Sequence, residues 1–528
     1  MNIEKVEKSV ENVISKEIDV EVMSFNELTN LDYPLMIDNY QRPYVWTVDK
    51  LNQLLNDLID FRSENESLDI PYYMGSILLH KSDNSNDKSQ SFSSPAYFVI
   101  DGQQRLSTLS ILYYVLNSEL PQNFEFNYRS LQSVANLKVI HKEIISRISD
   151  EETKEILKSI FNNMQFTVIT VTNEDLAFTF FDSQNSRGVP LGATDLLKAY
   201  HLRAIKDEQQ PQQQDFLQRN CARRWEIIQK TGKNSKKDKW DFSKILFERY
   251  LWRARHWRGS HNITYENHDA ILESFSAKTI KYEKIDSFPI FANPSNQLAH
   301  SLKVEGENNY TLMSQPIKFS SEAIYLPFNI RQPIFNGINF FMFADKYARL
   351  SDLLFNYSKI ESKQDSEELR QFRTFYNSVV KQNSSYLRNL FELAVLTYYD
   401  KYQEKQLLEF SQKFEMILGM IRLYKSSIYD VAPIKYLRES NVNILDVITA
   451  SYMEDEIFAV LDNDKNLDLN LEPNGIYDKE KNDFEDRVRG RYLKSMLNYY
   501  SKDGSIDKII NNSTGLKNFI STHKISLK

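Results

Sequence analysis

The most informative pattern in the chain is a short apolar run that ends in a polar turn and is followed at once by apolar residues at helical spacing. The run 97–100 predicts a buried strand, and the Asp101-Gly102 pair after it predicts a turn. We assign Asp101 as the expected N-cap of the helix that follows. One buried face of this helix is predicted from Leu106, Leu109, Ile111, Leu112, Val115 and Leu116.

This strand, turn and helix outline a phosphate-binding site. A helix that begins just after Gly102 places unpaired backbone N–H groups and the positive end of its dipole at the turn. Glycine lets an anion approach the backbone closely, and Arg105 adds a fork of donors that matches phosphate oxygens. The alternative interpretation is an ordinary helix start with solvated Gln104 and Arg105 side chains.

Further elements of the N-terminal region follow from the same patterns and predict a small sheet wrapped by helices, an α+β domain. A strand is predicted at 73–79, and a polar loop at 82–95 joins it to the strand before Asp101 as a long hairpin. The remaining predicted elements are a helix capped by Thr47 and running to about Phe61, a strand at 166–171, a helix from near Asn173 to about Gly188, and a helix capped by Thr194.

Beyond residue 216 the apolar periodicity is mainly helical. The polar stretch 206–214 is the predicted linker or exposed loop, and a second polar stretch near 358–368 is the predicted internal division. We therefore expect three domains, at 1–205, 206–357 and 358–528, of which the last two are mainly α-helical.

Composition narrows the class of protein. Only 13 of 528 residues are glycine, which disfavours a Gly-rich doubly wound nucleotide fold. The net charge of −7 excludes an indiscriminate polycation, so a nucleic-acid surface must be a local patch. A single cysteine, Cys221, excludes an internal disulfide framework, and no apolar run is long enough to span a membrane. We expect a soluble cytoplasmic protein, and the many Asn, Lys and Ile residues suggest an AT-rich bacterial genome.

Three segments, taken in order, carry a resemblance to a known family. They are Gln41-Arg42-Pro43-Tyr44-Val45-Trp46, Asp101-Gly102-Gln103-Gln104-Arg105, and Asn185-Ser186-Arg187-Gly188-Val189-Pro190-Leu191 followed by Thr194-Asp195-Leu196-Leu197-Lys198. Their order and spacing closely resemble the N-terminal domain of the GmrSD-type modification-dependent restriction enzymes. This is a ParB/sulfiredoxin-like family of bacterial anti-phage defence proteins, and SspE is related to it. The resemblance covers about residues 20–205 and implies a nucleotide-binding, NTP-hydrolysing domain with a ParB/sulfiredoxin-like fold.

The resemblance also implies roles for individual residues. Asp101, Gln104 and Arg105 would be catalytic, with Asp101 holding a divalent cation or orienting a water. The implied cofactor is a nucleoside triphosphate, with Mg²⁺ as a candidate second cofactor. Spacing alone leaves alternatives open, because Asp195 and Lys198 can form a surface pair and Tyr44 and Trp46 can be core anchors. The nucleotide-binding residues implied are Gln41, Arg42, Gly102, Gln103, Asn185, Arg187, Gly188, Asp195 and Lys198.

The C-terminal part departs from the long members of this family, which commonly carry a nuclease of the histidine-metal type. None of the histidines after residue 206 lies in the motif typical of that nuclease, and no metal site is predicted. This favours a partner protein that brings the nuclease. The basic and aromatic segment 249–258 predicts a DNA surface that uses Arg253, Arg255 and Arg258, with a solvated helix face over a buried Trp stripe as the alternative.

The sequence allows three different functions. The leading prediction is an NTP-hydrolysing subunit of a bacterial anti-phage restriction system that acts on foreign or modified DNA with a partner nuclease. The second is a sensor of nucleotide or modified DNA without turnover. The third is a metal-dependent nuclease that uses Asp101 and Asp195 as cation ligands. The expected partners are DNA and the nuclease, with no membrane association and with a homo-oligomer left open.

Overall fold

The chain forms two compact units, residues 1–226 with 283–285, and residues 227–282 with 286–528. The first unit contains a mixed sheet, and the second is mainly helical, which confirms the predicted α+β class. The three predicted domains stay a prediction. The computed structural model describes residues 18–37, 41, 43–64, 70–82, 95–128, 130–173, 177, 192–207, 210–232, 241–261, 263–285, 287–291, 300–304, 310–314, 323–355, 365–468 and 487–500.

A six-stranded sheet lies at the centre of the first unit. Its strands are β1 (Ile18–Ser24), β2 (Leu35–Met36), β3 (Tyr72–Ser82), β4 (Ala96–Asp101), β5 (Phe124–Glu125) and β6 (Met164–Val171). Their order is β1-β6-β3-β4-β2-β5. Strands β1 and β6 are antiparallel, as are β3 and β4, and the other neighbours are parallel. The predicted long hairpin of β3 and β4 is thereby confirmed.

Helices pack around this sheet. They are α1 (Phe25–Thr29), α2 (Val48–Glu64), α3 (Gln103–Asn117), α4 (Leu131–Arg147), α5 (Glu151–Asn163) and α6 (Ala193–Arg203). A further helix, α7 (Pro211–Lys230), crosses the boundary between the two units. The apolar face predicted for α3 is confirmed, because Leu106, Leu109, Leu112 and Leu116 are buried in the main core and Ile111 and Val115 pack against it.

Two predicted boundaries are wrong. Helix α6 begins at Ala193, with Gly192 as the N-cap, because the Gly192 carbonyl already accepts the N–H groups of residues 195 and 196. Thr194 therefore lies inside the helix and does not cap it. The predicted linker 206–214 ends earlier than expected, because Pro211 occupies the first helical position of α7, where its missing N–H costs nothing. The predicted helix from Asn173 to Gly188 lies outside the described residues, apart from Ala177.

After α7, the next described helix of the second unit is π-helical in its middle. Helix α8 (Phe242–Ile245), the π-helical segment Leu246–Trp252 and α9 (Arg253–His256) run on without a break, and α10 (His268–Leu272) continues into a second π-helical segment, Glu273–Ala277. The hairpin of β7 (His300–Val304) and β8 (Tyr310–Ser314) follows. The remaining helices are α11 (Ile338–Phe355), α12 (Glu367–Ser378), α13 (Ser385–Tyr402), α14 (Leu407–Tyr424), α15 (Val431–Glu439), α16 (Ile444–Ala450), α17 (Glu454–Asp462) and α18 (Val488–Tyr500).

Short 3₁₀ turns complete the described part of the second unit, at Ala323–Tyr325, Val380–Gln382 and Lys465–Asp468. Among the residues that the structure describes, no helix is both long and apolar enough to cross a bilayer. Polar side chains are buried between the helices of this unit. Tyr250 and Tyr376, for example, both donate their hydroxyls to the carboxylate of Glu392 in α13, at 2.6 and 2.5 Å.

A buried carboxyl joins α14 to α18 and gives the second unit a pH-dependent stability. Tyr492 of α18 donates its hydroxyl to Glu415 of α14, and burial raises the pKa of Glu415 from 4.5 to about 7. Between these values the unfolded chain binds fewer protons than the folded one, so the stabilisation by Glu415 falls as pH rises through this window. We expect Glu415→Gln to remove this decrease in stability with pH. At pH values above the window, the free energy of unfolding of the variant should exceed that of wild type by up to about 3 kcal/mol.

The measurement is the free energy of unfolding by urea for wild type and Glu415→Gln across the same pH window. Glu439→Gln is the matched control, because Glu439 lies on the surface in an exposed pair with Lys435. Its pH curve should run parallel to that of wild type. A Glu415→Gln curve that also runs parallel to wild type would contradict the prediction.

Candidate functional site

The turn between β4 and α3 has the geometry of an open helix N-terminus, and it corrects the predicted cap. Asp101 is the last residue of β4, and Gly102 is the N-cap, with φ at +94° and no side chain capping the helix. A Cβ on Gly102 would also lie 3.3 Å from Ile77. Only glycine takes this backbone conformation without strain, so the cap falls one residue later than predicted.

The first turn of α3 keeps unused donors. The first intrahelical bond of α3 runs from the Leu106 N–H to the Gly102 carbonyl. Within the described part of the chain, the N–H groups of Gln103, Gln104 and Arg105 donate to no acceptor. The start of the helix therefore offers three backbone donors together with the positive end of its dipole.

Arg105 is fixed in place by β3. Its Nη1 donates to the Met74 carbonyl and its Nη2 to the Ser76 carbonyl, each at 2.6 Å. These carbonyls flank Gly75, which has φ at +96° and lies where the β3 register shifts. A Cβ on Gly75 would lie 2.5 Å from Arg105 Nη1, so the close approach requires glycine. No carboxylate pairs with Arg105 among the described residues, and its charge remains uncompensated there.

Gln104 positions the first motif. Its side chain is buried, and its Oε1 accepts the Val45 N–H at 2.8 Å while its Nε2 donates to the Pro43 carbonyl at 3.3 Å. Both ends of the amide are occupied by the loop 43–45, so in this structure Gln104 acts as a positioning residue. The catalytic role implied for it stays a prediction. The neighbouring Gln103 is buried, and within the described part of the chain its amide makes no hydrogen bond.

Gln41 and Lys198 bring the other motifs to the same end of β4. Gln41 Nε2 donates to the carbonyls of residues 99 and 100, at 2.9 and 3.0 Å, and the Gln41 carbonyl accepts from Lys198 Nζ at 3.2 Å. Lys198 is only 4% exposed. Burial lowers its pKa, while the carboxylates of Glu226 and Asp195 oppose that shift. Lys198 is therefore a buried side chain, not a surface one, and its Nζ contacts the first motif.

Asp101 is the acid closest in sequence to these donors. It is half-buried at the end of β4, opposite Leu78 in β3, and its carboxylate has no hydrogen-bond or ion-pair partner among the residues that the structure describes. Elsewhere in the first motif, Tyr44 is a core residue, fully buried with its hydroxyl 2.7 Å from Thr108 Oγ1. Burial raises the pKa of Tyr44 to about 12. The core interpretation of Tyr44 is thereby confirmed.

Several predicted site residues lie outside the described residues: Arg42, Asn185, Arg187 and Gly188. In the described ranges, no group of three His, Cys, Asp or Glu side chains comes together in a way that could hold a metal ion. Thr194 has a buried hydroxyl with no hydrogen-bond partner in the described part of α6 and its surroundings. It lies one helical turn before Lys198 on the same helix face.

The predicted DNA-binding arginines lie in the second unit and differ from one another. Arg253 pairs with Glu266, and its guanidinium lies 4.7 Å from the centre of the Trp257 ring. Arg255 donates to the Gln332 carbonyl. Arg258 is exposed, and its side chain has no partner in the described ranges. Two of the three arginines therefore hold the fold of this unit together, and their binding to DNA stays a prediction.

Three motifs that are distant in sequence thus meet at one end of β4. The family resemblance that they carry can be compared with known families. A family described as the N-terminal domain of the GmrSD restriction endonuclease matches residues 22–202. These residues form a GmrSD-type N-terminal domain. The predicted resemblance is confirmed at this level, and the match indicates a restriction or defence protein that acts on DNA. The relation to SspE and the ParB-like fold stay predictions.

A large part of the remaining chain matches a family whose function is unknown. Family DUF7834 covers residues 217–476, which include most of the described helices of the second unit. A comparison with curated proteins found no similar sequence. The GmrSD-type domain therefore carries the functional assignment, and the second unit has to be interpreted from its own side chains.

Sequence reasoning missed Gly75, the residue that lets Arg105 reach β3. A signal was present, because an isolated glycine inside a predicted strand often marks a bulge or a close approach of another group. The backbone acceptors of Gln104 and Arg105 had no comparable signal. Carbonyl groups occur at every position, and the residues that carry them lie about 30 to 60 positions away in sequence.

Proposed function

We propose that this protein is the nucleotide-binding and NTP-hydrolysing subunit of a bacterial restriction system, and that it acts in the cytoplasm on foreign or modified DNA with a partner nuclease. One observation carries the proposal. The motifs around Gln41, Asp101–Arg105 and Lys198 meet at one end of β4, next to a helix N-terminus whose first N–H groups are unused among the described residues. Such a combination of backbone donors and a fixed guanidinium, that of Arg105, suits the phosphates of a nucleotide.

Each group has a role in this proposal. The free N–H groups at the start of α3 and the guanidinium of Arg105 bind phosphate oxygens and stabilise the negative charge that develops on them. The Asp101 carboxylate, which is free among the described residues, orients the attacking water or holds Mg²⁺ beside the phosphates. Gln104 holds the loop 43–45, and Lys198 holds the Gln41 carbonyl, at the same edge of the sheet.

The test measures phosphate release from ATP, GTP, CTP and UTP by wild type and by Asp101→Asn. We expect turnover of at least one nucleotide by wild type, and a loss of about 10²-fold in kcat for the variant, because the amide can neither accept a proton nor hold a cation as well. Asp60→Asn is the matched control, since Asp60 is an exposed residue of α2 whose carboxylate has no partner in the described part of the chain. Equal kcat for wild type and Asp101→Asn would refute the catalytic role.

A sensor without turnover is the second candidate, and the anchoring of the site favours it. The side chains of Gln104 and Arg105 are already bound to backbone groups, so Asp101 is the one implied catalytic side chain left without a partner in the described ranges. Nucleotide binding measured by calorimetry, with no phosphate release over hours, would select this function.

A further inference from the structure

The described part of the second unit contains buried hydrogen-bond donors that have no acceptor there. Arg255, in α9, donates Nη1 to the Gln332 carbonyl and lies 5.3 Å from the centre of the Phe275 ring. Its Nε is buried and makes no hydrogen bond within the described part of the chain. Buried polar groups are normally satisfied, so an unpaired charged donor at this position indicates a partner that comes from elsewhere.

Gln332, whose main-chain carbonyl accepts from Arg255, carries a second donor without an acceptor among the described residues. This side chain is 5% exposed, and its Oε1 accepts the Asn329 N–H at 2.9 Å. Its Nε2 is buried and has no acceptor among the described residues. Because both unpaired atoms are donors, water or a cation would suit the place less well than a group rich in acceptors.

The charges around these donors are mainly positive. Burial and the neighbouring guanidinium of Arg258 lower the pKa of Arg255 to about 10. Burial and Arg258 also lower the pKa of Arg331, which Asp446 opposes. The Asp446 carboxylate already accepts from Arg331 Nη1 at 2.5 Å and from the Gly259 N–H at 2.7 Å.

Two further groups complete this electrostatic environment. Lys278 lies close enough to lower the pKa of His256, but its own charge is paired with Glu273 at 2.8 Å. Burial, Arg255 and Arg258 also lower the pKa of His256, which favours a neutral imidazole. Among the described residues, Lys278 and Arg331 are thus each paired with a carboxylate, Glu273 and Asp446. Asp400, which accepts the Ile330 N–H close to Gln332, is paired with Lys346. Arg255 and Arg258 are the two cations here without a carboxylate partner in the described ranges.

The backbone supports the same interpretation. Arg255 follows the π-helical segment Leu246–Trp252, and Phe275, under its guanidinium, belongs to the second π-helical segment. The two segments pack together through Phe247 and Phe275, whose ring centres are 4.9 Å apart. Single π-helical turns inside helices occur frequently at functional sites.

We propose that Arg255, Arg258 and Gln332 form a binding site for one phosphate group. A phosphate carries more charge and more acceptor oxygens than a carboxylate, which matches two guanidiniums and an amide that all act as donors. Arg253 is not part of the site, because Glu266 and Trp257 already engage its guanidinium. The site takes a single phosphate, either free or within a DNA strand, and it is independent of nucleotide binding by the GmrSD-type domain.

The test uses the full chain and two probes, inorganic phosphate and a short DNA duplex. Phosphate binding is measured as the rise in Tm relative to chloride at equal ionic strength, and DNA binding by fluorescence anisotropy. Arg258→Gln should weaken binding of the recognised probe about tenfold, since it removes one charge-assisted contact. Arg249→Gln is the matched control, because Arg249 is an exposed arginine in the same helical stretch without a partner among the described residues.

Gln332→Glu keeps the oxygen that accepts from Asn329 but places a carboxylate where the unpaired amide lies. We expect this variant to have a higher Tm than wild type without phosphate and no rise in Tm with phosphate, because the new carboxylate satisfies Arg255 itself. If the two variants lose the rise in Tm with phosphate, the site binds free phosphate. If they lose only DNA binding, the site binds a phosphate of a DNA strand. Unchanged binding of both probes in Gln332→Glu and Arg258→Gln would overturn the proposal, whatever the turnover of nucleotides by the other unit.

Discussion

Arg105→Ala is expected to lower kcat/KM for nucleotide hydrolysis by about 10³-fold, the upper range for removal of one fixed donor that stabilises transition-state charge. The guanidinium is already oriented by the carbonyls of Met74 and Ser76 at 2.6 Å, so no reorganisation is needed when phosphate binds. Phosphate release under single-turnover and steady-state conditions separates the loss in binding from the loss in chemistry.

A second variant tests the orientation of Arg105 while keeping its charge. In Gly75→Ala the new Cβ would meet Nη1 at 2.5 Å and would sit in a backbone conformation, φ of +96°, that alanine rarely adopts. The guanidinium has to move, so turnover should fall in this variant although the arginine is present.

Arg147→Gln serves as the control for loss of a positive charge, because Arg147 is a partly exposed residue at the end of α4 that forms a surface pair with Glu143. Circular dichroism establishes that each variant is folded before rates are compared. If folded Arg105→Ala turns over nucleotide as fast as wild type, the guanidinium only connects α3 to β3 and takes no part in catalysis.

Local patterns predicted the elements of the first unit well, because each depends on neighbouring residues. The alternation and spacing of apolar residues located β3, β4, β6 and α3, and the buried leucines of α3 occupy the predicted face. The helix caps were less accurate. At Asp101 and at Thr194 a polar side chain had the chemistry of a cap, but a nearby glycine, Gly102 or Gly192, took the position.

The candidate site was predictable as a set of motifs but not as a set of contacts. The resemblance implied that Gln41 and Lys198 bind nucleotide and that Gln104 and Arg105 are catalytic. The structure joins each of these side chains to backbone groups of the protein itself. Acceptor carbonyls leave no signature in sequence. In the second unit the same limit applies to Arg253, since nothing marks Glu266 as its partner before the fold brings the two together.

The largest effect on stability is expected from Lys346→Met in α11. Lys346 Nζ lies 2.5 Å from Asp400 of α13, and the two side chains are only 5% and 4% exposed. The same ammonium donates to the Phe328 carbonyl at 2.6 Å. Removing one partner of a buried pair leaves an uncompensated charge, so we expect a loss of about 3–5 kcal/mol in the free energy of unfolding.

The exposed pair Arg370–Glu367 provides the comparison, because the same kind of change on the surface, Arg370→Met, should cost about 1 kcal/mol or less. With or without Lys346, the Asp400 carboxylate accepts hydrogen bonds from the Tyr347 hydroxyl at 2.9 Å and from the Ile330 N–H at 3.0 Å. The double variant Lys346→Met with Asp400→Asn should therefore recover part of the loss, since the amide oxygen still accepts these bonds without a buried charge. Urea unfolding of the four proteins decides the point: equal losses for Lys346→Met and Arg370→Met would mean that the buried charge is compensated by groups other than Lys346.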